Sequence, residues 1–433
     1  MKKISFLFAA MMFAAIGSGI APVTMGIAHA DEAADKAKQQ TVRAEMGKPL
    51  AEIQTLLDQK QFPTALEKIN ALSVFEKQTP YEIFVVARMR AIVASGTSNT
   101  ELLASAFEVM VNSEFLKDNE KLRLIEGMAG TYFNEKKYDL AINWGKRYLE
   151  KDNSSPQVHN MVARANYLKG DFANAIQELK TIVAEDQKAK RIPTEENLRL
   201  LASSYQQSKD NAGYTSVLEM MVEYHPTREY WGDLLYRTEH KAGFSDRLRL
   251  DLYRLMLVTN NMDDPGQYVE MTELALLAGL PTEAKTAVDA GYAANLLGTG
   301  KDAAKHKQLR DRVYKQAAED IKTLDAGETA AKNAKTGVGL VNIGYNYVIN
   351  GQSEKGIGLI EQGIAKGGLK SAEEAKLHLG MAYLKAGNRD KATEIFNSLQ
   401  GTDGAADIAK LWLKVRPMEE KSVDKAPAAP AAK

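Results

Sequence analysis

LIEGMAGTYFNEKKYDLAINWGKRYLE, residues 124–150, is followed 34 positions later by VHNMVARANYLKGDFANAIQELKTIV, residues 158–183. Met128 and Ala129 recur as Val162 and Ala163. Tyr138, Ala141, Gly145 and Tyr148 recur as Phe172, Ala175, Leu179 and Ile182. A fixed period of this length denotes stacked supersecondary units, each too small to bury its apolar face alone. The question therefore shifts from a reaction to what a stacked surface holds.

The same signals extend along the chain. Apolar residues recur at spacings of three and four, as on one face of a helix. Turn signals separate the helical pieces at Lys136-Lys137, Gly170-Asp171, Gly351-Gln352 and Gly387-Asn388. Two antiparallel helices approach closely only where Ala or Gly faces the partner, and an aromatic fills the space beside the turn. The spacing thus predicts an all-α solenoid of antiparallel helix hairpins.

At these positions the chain resembles the tetratricopeptide repeat (TPR) family. Residues 124–150 match through Met128, Ala129, Tyr132, Tyr138, Ala141 and Tyr148, and residues 158–183 through Val162, Ala163, Gly170, Phe172 and Ala175. Further copies match through Ile343, Gly344, Tyr347, Gly351 and Gly356, and through Leu379, Gly380, Tyr383, Gly387, Ala392 and Phe396. Weaker ones begin near Ile53 (Phe62, Ala65), Leu201 (Ala202, Tyr205), Trp231 (Leu234, Phe244) and Met271 (Gly279, Ala284). The copy after Leu201 reads as carrying about three extra residues at its turn, around Lys209-Asp210-Asn211. A narrower resemblance, through Tyr230–Leu255, Leu274–Lys285 and Glu361–Trp412, is to exported proteobacterial repeat proteins described as components of a TonB-type energy-transducing system. It implies an envelope-protein partner, within a TonB/ExbB-type complex.

The expected organisation runs in six parts. Lys2 and Lys3, the apolar stretch Ile4–Ile20 and the Ala28-His29-Ala30 cleavage pattern read as a signal peptide over 1–30, cut after Ala30. A polar leader covers 31–45 and N-terminal TPR-like repeats cover 46–300. A charged connecting helix spans 301–335, with two degenerate repeats as the alternative. C-terminal repeats occupy 336–415 and an Ala/Pro tail, too poor in apolar residues to order itself, ends the chain at 416–433. The signal places the protein in the periplasm, and no other stretch is apolar enough to span a bilayer.

Composition narrows the chemistry. Lys+Arg and Asp+Glu are both 56, which argues against a nucleic-acid partner. Cysteine is absent, so disulfides, thiol nucleophiles and iron–sulfur clusters are excluded. Gly298-Thr299-Gly300-Lys301-Asp302 lacks the phosphate-loop glycine, since Asn295 stands in its place, and Asp302 replaces the magnesium-ligating hydroxyl. Gly337-Val338-Gly339 lacks the third glycine of a dinucleotide fingerprint and reads as a site of close helix packing. No pair of histidines has zinc-ligand spacing, and Asp263-Asp264-Pro265-Gly266 reads as a turn. No cofactor is expected.

In the family, the first helix of each hairpin lines a concave groove that holds an extended peptide or helix. Carried over copy by copy, the resemblance assigns groove positions to Arg123, Asn160, Arg164, Tyr167, Arg199, Asn342, Tyr345 and His378. Guanidinium and amide groups suit carbonyls and carboxylates, and tyrosine adds contact area at low entropic cost. The family's carboxylate clamp needs Lys and Asn where Glu126 and Gly130 stand, which puts capture of a chain terminus in doubt. The expected function is a non-enzymatic periplasmic scaffold. A glycan- or small-ligand-binding module is one alternative. An enzyme with a site in 231–335, using His240 near Asp246 or Asp251, is another.

Overall fold

The computed structural model describes residues 40–415; the signal peptide, most of the leader and the tail lie outside the described residues. These residues form 20 α-helices and, among them, no strand. They divide into two compact units, at Arg191 and Ile192.

The first unit is four hairpins: α1 (Ala44–Asp58) with α2 (Phe62–Ser73), α3 (Pro80–Thr97) with α4 (Thr100–Val111), α5 (Asp118–Asn134) with α6 (Tyr138–Leu149), and α7 (Pro156–Lys169) with α8 (Phe172–Lys188). The 34-residue period has a local cause. Lys136 and Gly170 both adopt left-handed backbone, and the next amide in each case closes back on the preceding helix, Lys137 N to Tyr132 O and Asp171 N to Asn166 O, both 2.9 Å. This closure satisfies carbonyls the helix leaves orphaned. Beside each turn sits a T-shaped ring pair, Phe133–Tyr138 and Tyr167–Phe172. Met128, Ala129, Val162 and Ala163 are buried where the hairpins stack.

The period blurs because helix length varies while the turn does not. The hairpin α3–α4 escapes the sequence pattern, yet it closes the same way, with Ser98 left-handed and Asn99 N bonded to Ala94 O. The turn at Lys209 is likewise unchanged, with Asp210 N bonded to Tyr205 O. The expected insertion there is therefore corrected. The extra residues lie in α8, which has 17 residues where α6 has 12.

The second unit begins with α9 (Glu195–Gln207), α10 (Asn211–Tyr224) and α11 (Arg228–Glu239). It continues through a 3-10 turn, Asp246–Leu248, into α12 (Arg249–Val258), then α13 (Pro265–Leu277) and α14 (Pro281–Ala293). Phe244 lies in the loop before that turn and packs against Gly404, so it does not open a second helix as its repeat position suggested. The stretch 301–335 holds one helix, α15 (Ala303–Asn333), packed against α14 and α16 (Val338–Ile349). There follow α17 (Ser353–Lys366), α18 (Ala372–Lys385), α19 (Arg389–Asn397) and α20 (Ala405–Lys414).

Two features shape this unit. Helices α16 and α17 meet backbone to backbone: a Cβ on Gly344 would stand 2.7 Å from Gly356 O, and one on Gly363 would stand 2.7 Å from Gly337 O. The unit also doubles back on itself. Its last helix packs on α10 and α12, held by Lys414–Glu223 and Lys241–Asp407 ion pairs and by Ser245 N donating to Asp403 O at 2.8 Å. A cleft lies among α12, α13, α16 and α18.

Candidate functional site: a charged cleft in the second unit

Helix α12, RLDLYRLMLV, is apolar except for three charged side chains, two of which, Asp251 and Arg254, share one face at i,i+3 spacing. Both are buried, at 1% and 4% exposure. Such a burial is tolerated only when paired and hydrogen-bonded. Arg254 meets that requirement. Its Nε and Nη2 donate to Glu283 at 2.7 and 2.6 Å in a two-pronged bond, and Nη1 donates to Asp251 Oδ1 at 2.5 Å. Glu283 comes from the first turn of α14, so the pair joins α12 to α14.

His378, from α18, places Nε2 at 3.0 Å from the same Asp251 oxygen. A proton on Nε2 makes this a donated bond to the carboxylate. Tyr345, from α16, packs against both side chains: its ring stacks on His378 with centroids 5.0 Å apart, and the Arg254 guanidinium sits 4.9 Å from its centroid. Burial raises the Asp251 carboxyl's pKa, but the charges of His378 and Arg254 outweigh that and hold it below the usual value. Burial likewise pushes the Tyr345 hydroxyl upward, opposed only in part by Arg254. Tyr345 therefore stays neutral.

Above this floor opens a cleft of about 400 Å³. One wall is apolar, formed by Leu250 of α12, Leu274 and Leu277 at the end of α13, and Val338 and Val341 of α16. The lining also carries Glu374 and His378 of α18, with Asp246, Arg247 and Lys370. Asn342 completes the α16 side and is exposed.

Of the eight groove positions expected from the sequence, the structure brings three into this cleft: Asn342, Tyr345 and His378. Tyr345 is buried beneath His378 as floor rather than offered as a contact surface. Arg123 stands exposed on α5. Asn160, Arg164 and Tyr167 line one face of α7, where the Asn160 amide donates to Pro156 O at 2.8 Å and Tyr167 packs on Phe172. Arg199 is exposed on α9, in the second unit but outside the cleft lining. Arg254, Glu283 and Glu374 were missed, and Asp251 was named only as a partner of His240. The signal for Arg254 was visible as a charge at i,i+3 from Asp251 inside an apolar helix.

The rejected motifs have structural roles. Gly298 donates its amide to His306 Nδ1 at 3.2 Å in the turn before α15, and Asp264 caps α13. His240 stacks on Tyr236 and bonds that residue's carbonyl, so the histidine beside Asp251 is His378 and not His240. Among the described residues no cluster of metal-ligating side chains occurs, and no helix is long and apolar enough to cross a membrane.

The chain is similar in structure to the C-terminal part of a TPR repeat-containing protein from Cytophaga hutchinsonii, at 16% identity over 59% of this chain and 98% of that one, TM-score 0.27. It is similar to the TPR2AB domain of yeast Sti1, solved as a pHSP90 complex, at 14% identity over 67% and 99%, TM-score 0.24. It is also similar to yeast Tom70, at 13% identity over 85% and 94%, TM-score 0.20. No protein-family model and no curated protein sequence matches the chain. The fold is TPR-like. Its hairpins stack through small residues and close through one recurrent turn, and the second unit adds the charged cleft.

Proposed function

We propose that this protein is a periplasmic protein–protein interaction scaffold, and that the cleft of its second unit receives a segment of another envelope protein. The observation that carries this reading is the convergence of Asn342, Tyr345 and His378, from two separate hairpins, around a preformed cavity. The buried ion-pair floor holds the cavity in shape, so a partner meets a receptor that needs little ordering. The export signal over residues 1–30 supports the periplasm as its location. The resemblance of 230–255, 274–285 and 361–412 to proteins of TonB-type systems supports a TonB/ExbB-type complex as the assembly it serves.

The cleft favours a protein segment over a glycan. Sugar rings are commonly held on exposed aromatic faces, and the single aromatic lining this cleft is buried beneath His378. The test is photo-crosslinking in cells of the source organism from an unnatural amino acid at Asn342, an exposed cleft position, with Arg123 as a second site. The expected result is a discrete adduct with an envelope protein from position 342, recovered in the periplasmic or membrane fraction. A chain found in the cytoplasm, or the absence of any adduct from 342, overturns the proposal.

A further inference from the structure

Glu374 is the unsatisfied group of the cleft. It stands three residues after Ser371, the N-cap of α18, at the spacing of a reciprocal capping box. Thr79 and Glu82 complete such a box in the first unit. At α18 only the serine half forms, with Glu374 N donating to Ser371 Oγ at 3.1 Å. The glutamate forgoes its local donor and lines the cleft instead. Among the described residues its carboxylate accepts no hydrogen bond, although the side chain is only 29% exposed.

The nearest cation gives it no hydrogen bond. Arg247 Nε lies 4.0 Å away, beyond hydrogen-bond reach, and that guanidinium is already bonded to Ser245 and Asp403, each at 3.3 Å. Arg254 directs its guanidinium to Glu283 and Asp251 and gives Glu374 no hydrogen bond. Lys370 is exposed at the rim, where water screens it. Burial, with Asp251 adding and His378, Arg247 and Arg254 opposing, raises the Glu374 carboxyl's pKa from its usual value. A half-buried carboxylate without a donor gains most from a cation arriving inside the cavity. The apolar wall extends beyond that point: Leu277, at the mouth, is 86% exposed. A small free amine could meet Glu374 and leave Leu277 uncovered. A peptide segment covers both.

We infer, resting on the reading of the cleft as a partner site, that it takes a lysine or arginine side chain of a partner segment onto Glu374, with an adjacent apolar residue seated on Leu277.

Phage-displayed random heptapeptides panned on the full chain test this, followed by calorimetry of the enriched peptide against wild type, Glu374→Gln and Leu277→Ser. The expected result is enrichment of Lys or Arg next to Leu, Ile, Met or Phe. Affinity should fall on the order of ten-fold in Glu374→Gln, and by a similar factor when the peptide's basic residue becomes Gln. The peptide-side change needs no protein variant, and unchanged melting temperatures show that the variants fold. Enriched peptides that lack a basic residue but depend on Leu277 overturn the cation assignment and leave the cleft reading standing. Peptides indifferent to Glu374, Leu277 and Asn342 alike overturn both.

Discussion

At the residue scale, the hairpin turns separate what is required from what is tolerated. Lys136, at φ +60°, occupies the left-handed position that Gly170, at φ +87°, fills one repeat later. A side chain there costs on the order of 1 kcal/mol. Lys136→Gly should therefore stabilise the first unit by roughly 0.5–1 kcal/mol, and Gly170→Ala should destabilise it by about as much, measured by chemical denaturation. Glu82 offers a second test. Buried on α3, it is hydrogen-bonded by the Arg43 guanidinium and also by the Arg43 and Thr79 amides, which hold its carboxyl near 2, below the ordinary 4.5. A depressed folded-state value means its stabilisation is present above about 4.5 and is lost as pH falls toward 2. Glu82→Gln should destabilise the first unit by about 3 kcal/mol at neutral pH and flatten its acid limb in that window, followed by the fluorescence of Trp144. An acid limb identical to wild type would sink the assignment.

At the element scale, the pairing of α16 with α17 depends on glycine. A Cβ on Gly344 meets backbone, Gly356 O and Ile360 N, which cannot rotate away, whereas one on Gly358 of the same hairpin meets nothing within 4 Å. Gly344→Ala should thus cost about 2–4 kcal/mol by forcing the helices apart. Gly358→Ala should be neutral or stabilise by up to about 1 kcal/mol, because alanine is the better helix former. Thermal melts of the two variants compare them directly. The sequence marked Gly344 and Gly356 through the repeat pattern and Gly337 through its glycine pair, so this contact was legible. The position of the longer α8 was not, because apolar spacing alone does not show which side of a turn carries added residues.

At the scale of the whole molecule, closure of the second unit by α20 is the decisive event. Ile408, Ala409 and Leu411 are buried by that return. Ile408→Asp should lower the stability of the second unit by more than about 4 kcal/mol while leaving amide-exchange protection in the first unit unchanged, read by hydrogen exchange resolved to each unit. Equal loss of protection in both units would show that they unfold together. Much of the architecture was legible because it is local: the turn closure, the ring pair beside it and the small residues at 129, 141, 163 and 175 all act within one or two hairpins. Asn342, Tyr345 and His378 could likewise be nominated from helix positions. Asp251, Arg254, Glu283 and Glu374 could not be joined to them, since Asp251 and His378 are far apart in the chain and meet only where α18 reaches α12 in the folded second unit. A repeating pattern encodes nearest-neighbour packing, and so the sequence by itself determined the hairpins and their stacking. The charged cleft comes from contacts between non-neighbouring repeats, which carry no period, and only the tertiary structure decided it.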